Sequence, residues 1–259
     1  MTRVAIVSKA TAKRNDGGLI MVLSLSFREH TSDKLRAMRT FTVLLPVLLA
    51  AALQTAAPAV EPGFTSIFNG RDFTGWKISG AADTFTIQDG AIVAKGAVSH
   101  AYYDGSFRNH SFRDFELKIE VMTRAGSNGG VYVLTELQEP AAGVVRASGR
   151  FPSKGFEIQV NNSHTDRIRT GSLYHVADVL DTSPAKDDEW FTEHVIVKGE
   201  TITVNVNGKQ VVQWTQPADW NGGREGAGRR ISGPGTIALQ GHDPNSTVYY
   251  KNIRIKPLD

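Results

Sequence analysis

The sequence contains no cysteine. That absence removes a disulfide framework, a thiolate nucleophile and a cysteine-ligated metal site together. Stability must then come from a buried core, and 259 residues with 41% hydrophobic content suffice for one domain with a sizeable core or two small ones. Also missing are a phosphate-cradling P-loop, a dinucleotide fingerprint, a Gly-x-Ser-x-Gly elbow and a His-x-x-x-His pair. From Gly63 onward there is no amphipathic helical stretch and no repeat that aligns. An excess of one charge is missing as well. The net charge of +3 comes from the first 60 residues, where eight Lys/Arg face three acids; the remainder holds 21 bases and 23 acids. A net of −2 there disfavours nucleic acid as a partner.

What is present begins with a leader. MRTFTVLLPVLLAAALQTAAP, from Met38, has a basic start at Arg39, an apolar run from Phe41 to Leu53 and small residues around Thr55, Ala56 and Ala57. Residues 38–57 read as a secretory signal peptide cleaved near Ala57, which predicts an exported, periplasmic or extracellular protein. An apolar run of about 13 residues, interrupted by Pro46, is shorter than the roughly 20 a spanning helix needs, so no membrane span is expected after cleavage. Residues 1–37, polar and patternless, read as an upstream start-site extension or a disordered segment.

Short alternating runs broken by Gly, Asn and Asp fill the rest and predict an all-β sandwich. TFTIQDGAIVAK sets Asp89-Gly90 between two strands, and TITVNVNGKQVVQW does the same with Asn207-Gly208; both dipeptides accept the positive φ of a type I′ turn. FRDFELKIEVMT predicts a long strand with Phe115, Leu117, Ile119 and Val121 on one face, and YYKNIRIKPLD closes the chain with Ile253 and Ile255 inward. Three stretches break the rhythm: 138–154, 176–189 and 216–235, the last carrying Trp220 and Arg224, Arg229 and Arg230 among glycines. Loops of this length suit lids or binding loops, with a solvated surface as the plainer alternative.

The stretch KGFEIQVNN alternates with period two, so Phe156, Ile158 and Val160 face one way and Glu157, Gln159 and Asn161 the other. A carboxylate and an amide about 7 Å apart along one strand face suit neighbouring parts of a pyranose ring. In IALQGHDP, Gln240 and His242 share a side unless Gly241 introduces a bulge. Asn128 precedes two glycines, which allow either a tight turn or close approach of the backbone to a ligand. A carboxylate plus a histidine without a third ligand is a weak metal signal, so no metal site is predicted.

FTSIFNGRDFTGW, FRDFELKIEV followed by SNGGVYV, GFEIQV, TGSLYHV, EWFTEHVIVKGETITVNVNGKQVV, GTIALQGHD and VYYKNIRIKPL occur in the order of the 3-keto-disaccharide hydrolase domain family. The chain resembles that family over residues 63–259. The resemblance implies a concanavalin A-like jelly roll of two curved antiparallel sheets, with a glycan-sized groove on the concave one, in an exported bacterial protein acting on sugars oxidised at C3. Tyr174 and His175 resemble the family's Gly-small-Leu-Tyr motif; Tyr174 is either a stacking wall or a tyrosine tucked under a loop. Trp76 and Trp190 match family positions and read as packing residues, with Trp214 and Trp220 as candidates for a groove rim. Where many relatives carry an arginine after the Gly-Val-aromatic strand, this chain has Leu134, Thr135 and Glu136.

The implied activity is cleavage of 3-keto-glycosides such as 3-keto-disaccharides. A C3 ketone acidifies the C2 proton, a base removes it, the enolate expels the C1 substituent and water adds back. Such a site needs a base, an acid and an oxyanion stabiliser. Glu157 and His242 are the expected catalytic pair, with Asn128, Gln159, Tyr174 and Gln240 binding an oligosaccharide or glycoside. No cofactor is expected, and a weakly bound divalent cation is left open. The alternative is a lectin-like carbohydrate-binding module without turnover. A two-carboxylate glucanase is disfavoured because Gln159 and Asn161, not acids, follow Glu157 on its face.

Overall fold

The computed structural model describes residues 4–15, 18–29, 61–138, 154–223 and 229–258. The signal-peptide segment 38–57 and most of the 138–154 loop lie outside the described residues. The chain forms two units, Met1–Pro58 and Ala59–Asp259. In the first, β1 (Val4–Asn15) and β2 (Gly18–Glu29) pair antiparallel within the segment expected to be an extension or disordered.

The second unit is built from β3 (Thr65–Ser66), β4 (Trp76–Gly80), β5 (Phe85–Gln88), β6 (Ala91–Ala94), β7 (Ser99–Tyr103), β8 (Phe115–Thr123), β9 (Gly129–Thr135), β10 (Phe156–Val160), β11 (Phe191–Lys198), β12 (Thr201–Val206), β13 (Lys209–Thr215), β14 (Thr236–Gly241) and β15 (Val248–Pro257). Two antiparallel sheets result, one ordered β10-β9-β14-β7-β4 and the other β13-β12-β11-β8-β15-β6-β5, with β3 paired to β15. This is an all-β jelly-roll sandwich of the concanavalin A-like kind.

The hairpins form where the dipeptides predict them. Asp89-Gly90 joins β5 to β6 with φ of 49° and 78°, and Asn207-Gly208 joins β12 to β13 with φ of 50° and 77°. On β8, Phe115, Leu117, Ile119 and Val121 are fully buried while Glu116, Lys118 and Glu120 are half-buried on the other face. Each such core side chain contributes roughly 1.5–3 kcal/mol relative to its exposed state. On β15 a bulge between Lys251 and Arg254, with Asn252 at φ 49°, lets Tyr250 and Ile253 both point inward. Glu193 is fully buried between Phe191 and Val195 on the inward face of β11, and burial pushes its pKa well up.

Within the five-stranded sheet, β7, β9, β10 and β14 are buried on both faces. Val131, Val133, Phe156, Ile158, Ala101 and Leu239 join the core, while Tyr102, Tyr132 and Ala238 form a separate cluster on the far face. Residues 136–138 leave β9 and cross that far face: Leu137 packs on the Tyr102–Tyr132–Ala238 cluster, and the Ser79 hydroxyl of β4 donates to the Gln138 carbonyl at 2.5 Å. The crossing follows a bulge at the end of β9. Thr236 and Ala238 of β14 oppose Thr135 and Tyr132, so the one residue between them, Ile237, faces two, Val133 and Leu134, and Leu134 sits at φ 55°. Two glycines grip the bulge. A Cβ on Gly155 would lie 2.4 Å from the Val133 carbonyl, and one on Gly235 would lie 2.4 Å from the Leu134 carbonyl carbon.

These contacts rank two substitutions. Gly208 has φ 77° with no atom near its would-be Cβ, so Gly208→Ala should cost about 1 kcal/mol from backbone strain alone. Gly155 has φ 86° and a backbone clash besides, so Gly155→Ala should cost more than about 2 kcal/mol. Urea unfolding of both variants checks the order, and equal losses would show that the bulge is not gripped.

Candidate functional site

Alternation along each strand of the five-stranded sheet puts two cross-strand rungs on the far face. One runs Gln159–Gly130–Gln240–His100–Ser79, the other Glu157–Tyr132–Ala238–Tyr102–Lys77. Small residues at Gly130 and Ala238 leave room between the polar ones. A Cβ on Gly130 would lie 2.4 Å from Glu157 Oε1, so the carboxyl occupies the space where a side chain would otherwise stand.

Glu157 is 7% exposed, and a buried carboxyl needs partners. The Tyr132 hydroxyl donates to Glu157 Oε2 at 2.7 Å, and Gln240 Nε2 donates to the Tyr132 oxygen at 3.3 Å. Burial first, and the neighbouring Glu157 second, hold the Tyr132 pKa well above its usual 10, so it remains a donor. Arg229 lies 5.5 Å from the Tyr132 ring and donates to the Gly155 carbonyl at 2.8 Å. It places a cation beside a strand that lacks the arginine seen in many relatives. His100 meets the Tyr132 ring edge-on at 5.3 Å.

A second network begins where β14 ends. His242 Nδ1 lies 2.7 Å from Asp243 Oδ2, which also accepts from Ser246 Oγ at 2.7 Å. Burial opposes ionisation of Asp243, but hydrogen bonds from His242, Ser246 and the Asn245 N–H outweigh it and bring the pKa from 3.8 to about 2. An ionised Asp243 accepts only, so His242 donates through Nδ1 and presents Nε2 as an acceptor. Ser246 Oγ in turn accepts the Asn128 N–H at 2.9 Å. On the other side of His242, His164 sits ring edge to ring at 5.7 Å.

Four of the six sequence-predicted residues divide between these networks. Glu157 and Gln240 meet through Tyr132, while His242 and Asn128 meet through Asp243 and Ser246. Asn128 Oδ1 and Gln240 Oε1 are buried acceptors with no hydrogen-bond partner among the described residues. Such orphans are what hydroxyl donors of a ligand would satisfy. Gln159 is 1% exposed and donates to the Ile168 carbonyl at 3.4 Å, so it holds the 161–173 loop rather than facing an opening. Asn161 organises the same loop, donating to the Asp166 and Ile168 carbonyls and accepting from the His164 N–H. Tyr174 is half-buried, stacks on His175 at 4.1 Å and donates to Asp166 Oδ2 at 3.1 Å, the second of its two readings.

Among the tryptophans, Trp76 is buried and donates to the Ile67 carbonyl. Trp214 packs between Phe156 and Trp220 against the core, so it is a packing residue and not a groove rim, because its ring finds aromatic neighbours at 5.5 and 5.3 Å. Sequence reading missed Tyr132, His100 and His164 as members of this region, and had Arg229 only as a cation of the 216–235 loop and Asp243 only as the residue after His242 in IALQGHDP. The alternation of SHAYY and GGVYV carries His100 and Tyr132; nothing comparable singles out His164. A pocket of about 260 Å³ at the other end of these strands, lined by Asp104, His110, Thr135, Glu136 and Lys154 among others, contains none of the six. Among the described residues, no group of three or more His, Asp or Glu side chains is placed to hold a metal ion, and no helix is long and apolar enough to cross a membrane.

The low pKa of Asp243 fixes a sign. A carboxyl depressed from 3.8 to about 2 adds stability that is present above pH 3.8 and lost as pH falls through about 2. Asp243→Asn should flatten the dependence of Tm on pH in that window. An unchanged acid slope would mean that the His242–Asp243 bond is not formed in solution.

The family model described as a 3-keto-alpha-glucoside-1,2-lyase-like domain matches residues 63–256. A 3-keto-disaccharide hydrolase of Bacteroides thetaiotaomicron is 23% identical over 236 residues, covering 78% of this chain and 81% of its own length. Among solved structures, a candidate glycosyl hydrolase of Parabacteroides distasonis superposes with a TM-score of 0.61 at 25% identity, covering 76% of this chain and 94% of that one. A second from the same organism gives 0.53 at 19% identity, covering 75% and 99%, and shows the fold alone. With the match spanning nearly the whole sandwich, the chain belongs to the 3-keto-alpha-glucoside-1,2-lyase-like domain family.

Proposed function

We propose that the protein is an exported enzyme that cleaves the glycosidic bond of 3-keto-glycosides, 3-keto-disaccharides among them. The observation that carries the reading is the His242–Asp243 pair, which presents an imidazole Nε2 as a base, together with the buried acceptors Asn128 Oδ1 and Gln240 Oε1. That set of acceptors suits a polyhydroxylated ring and a single proton abstraction. It differs from the two opposed carboxylates of an ordinary glycosidase.

In this mechanism His242 Nε2 takes the C2 proton, and the electron pair forms the enolate of the C3 ketone. The enolate collapses to a C1–C2 double bond as the C1–O bond breaks, its pair leaving with the departing oxygen. Glu157, held by Tyr132, delivers a proton to that oxygen and takes one back from the water whose oxygen adds to C1. C2 then regains its proton from His242, which completes net hydrolysis. Gln240 and Asn128 accept from ring hydroxyls. The half-exposed His242 is the better base of the two, since the Glu157 carboxyl already accepts a hydrogen bond from Tyr132 and is almost wholly buried.

The test incubates residues 61–259 with a 3-keto-disaccharide and with its unoxidised parent, following C2-proton exchange in deuterated water and monosaccharide release. Exchange and release should occur with the keto sugar alone, and a Glu157→Gln/His242→Ala variant should lose both by a factor of about 10³ or more. Binding without either signal would leave a lectin-like module. Hydrolysis of the plain parent would point to conventional glycosidase chemistry.

A further inference from the structure

The mechanism above leaves the oxyanion without a stabiliser, and the loop from Asn161 to Leu173 supplies one. His164 is pinned at three points. Its N–H donates to Asn161 Oδ1 at 2.8 Å, its carbonyl accepts from Arg169 Nη1 at 2.7 Å, and its ring Nδ1 accepts the Asp166 N–H at 3.1 Å. Asn161 Oδ1 also accepts from Arg169 Nη1 at 3.0 Å, and Tyr174 Oη anchors Asp166 through Oδ2 at 3.1 Å. A backbone N–H can only donate, so Nδ1 of His164 acts as the acceptor and the proton of the neutral ring sits on Nε2.

The two adjoining imidazoles therefore carry opposite tautomers. His242 gives its Nδ1 proton to Asp243 and offers an acceptor at Nε2; His164 uses Nδ1 as an acceptor and offers a donor at Nε2. Their rings lie 5.7 Å apart, edge to face at 66°. A ketone α to an acidic proton needs that pair on adjacent carbons, a base for the hydrogen on C2 and a donor for the oxygen on C3. A neutral imidazole N–H is a competent electrophile for a carbonyl that becomes an enolate.

We propose that His164 is a catalytic residue whose Nε2–H donates to the C3 oxygen and stabilises the enolate, with Asp166 and Tyr174 as positioning residues that set its tautomer. The inference rests on the elimination reading of function. No proton leaves His164 during the cycle, so the proton balance of the reaction stays between His242, Glu157, the leaving oxygen and water.

Two measurements test it. The first needs no substrate: long-range ¹H–¹⁵N correlation spectra of uniformly labelled protein should show His164 as the Nε2–H tautomer and His242 as the Nδ1–H tautomer. A His164 ring protonated on Nδ1 alone overturns the assignment whatever the activity. The second compares wild type, His164→Ala and His164→Gln on a 3-keto-disaccharide. Removing one oxyanion donor should lower kcat by about 10²–10³ with KM little changed, and the amide N–H of the glutamine should restore part of it. C2-proton exchange should fall in parallel, because the enolate itself loses its donor. A wild-type rate in a folded His164→Ala variant overturns the role of His164 while leaving the elimination reading intact. A wild type inert toward the keto sugar overturns that reading and the enolate role together.

Discussion

The arrangement depends on one hydrogen bond, from the Tyr132 hydroxyl to the buried carboxyl of Glu157. A carboxyl this far from water is stabilised by a donor, and several neighbouring residues are arranged around that bond. Gly130 has to be a glycine because the Glu157 oxygen stands where its Cβ would be. Ala238, the register partner of Tyr132 on β14, has to be small so that the tyrosine can lie across the sheet. Gln240 and Arg229 then fasten the ring and hydroxyl of Tyr132 from two sides. The far face is a polar network set into a sheet whose other face is the hydrophobic core.

The second network is made of loop rather than strand, and it costs the sheet nothing in pairing. Asp243, Ser246 and Asn128 tie the chain after β14 to the chain before β9, so Asp243, the neighbour that orients His242, is held through Ser246 to a residue distant in sequence. The loop after β10 is tied down by its own side chains, with Asn161 acting as donor and acceptor to four different residues. Rigid strands hold one half of the site, and a hydrogen-bonded loop brings the other half to it.

Much of this could be seen in the sequence, for identifiable reasons. Both hairpins were legible because Asp89-Gly90 and Asn207-Gly208 encode their positive φ values locally. β8 was legible because its second face meets water, so charge and hydrocarbon alternate. β7 and β9 were not, since their far faces carry tyrosines, a histidine and a glycine in place of the carboxylate and amides that mark the equally buried β10 and β14. That is why His100 and Tyr132 escaped notice while Glu157 and Gln240 did not. Asn161 and Gln159 were legible as polar-face residues but not as loop supports, because their partners at Asp166 and Ile168 come from a turn without a sequence period. Arg229 was visible only as a cation among glycines; its seat over Tyr132 is set by packing between distant segments.

The bulge at Leu134 works on β9 as a frameshift works on a message. Tyr132 and Leu137 touch on the same far face, yet they are separated by an odd number of positions, and a regular strand would have placed them on opposite faces. One extra residue in the left-handed region changes the parity. Leu137 is then displayed on the side of Glu157 and not in the core, and Gln138 reaches Ser79 of β4. Deleting a single residue here would leave the composition of the strand almost unchanged while sending the crossing segment through the wrong side of the sheet. For this stretch of chain, length is as much a part of the site as identity.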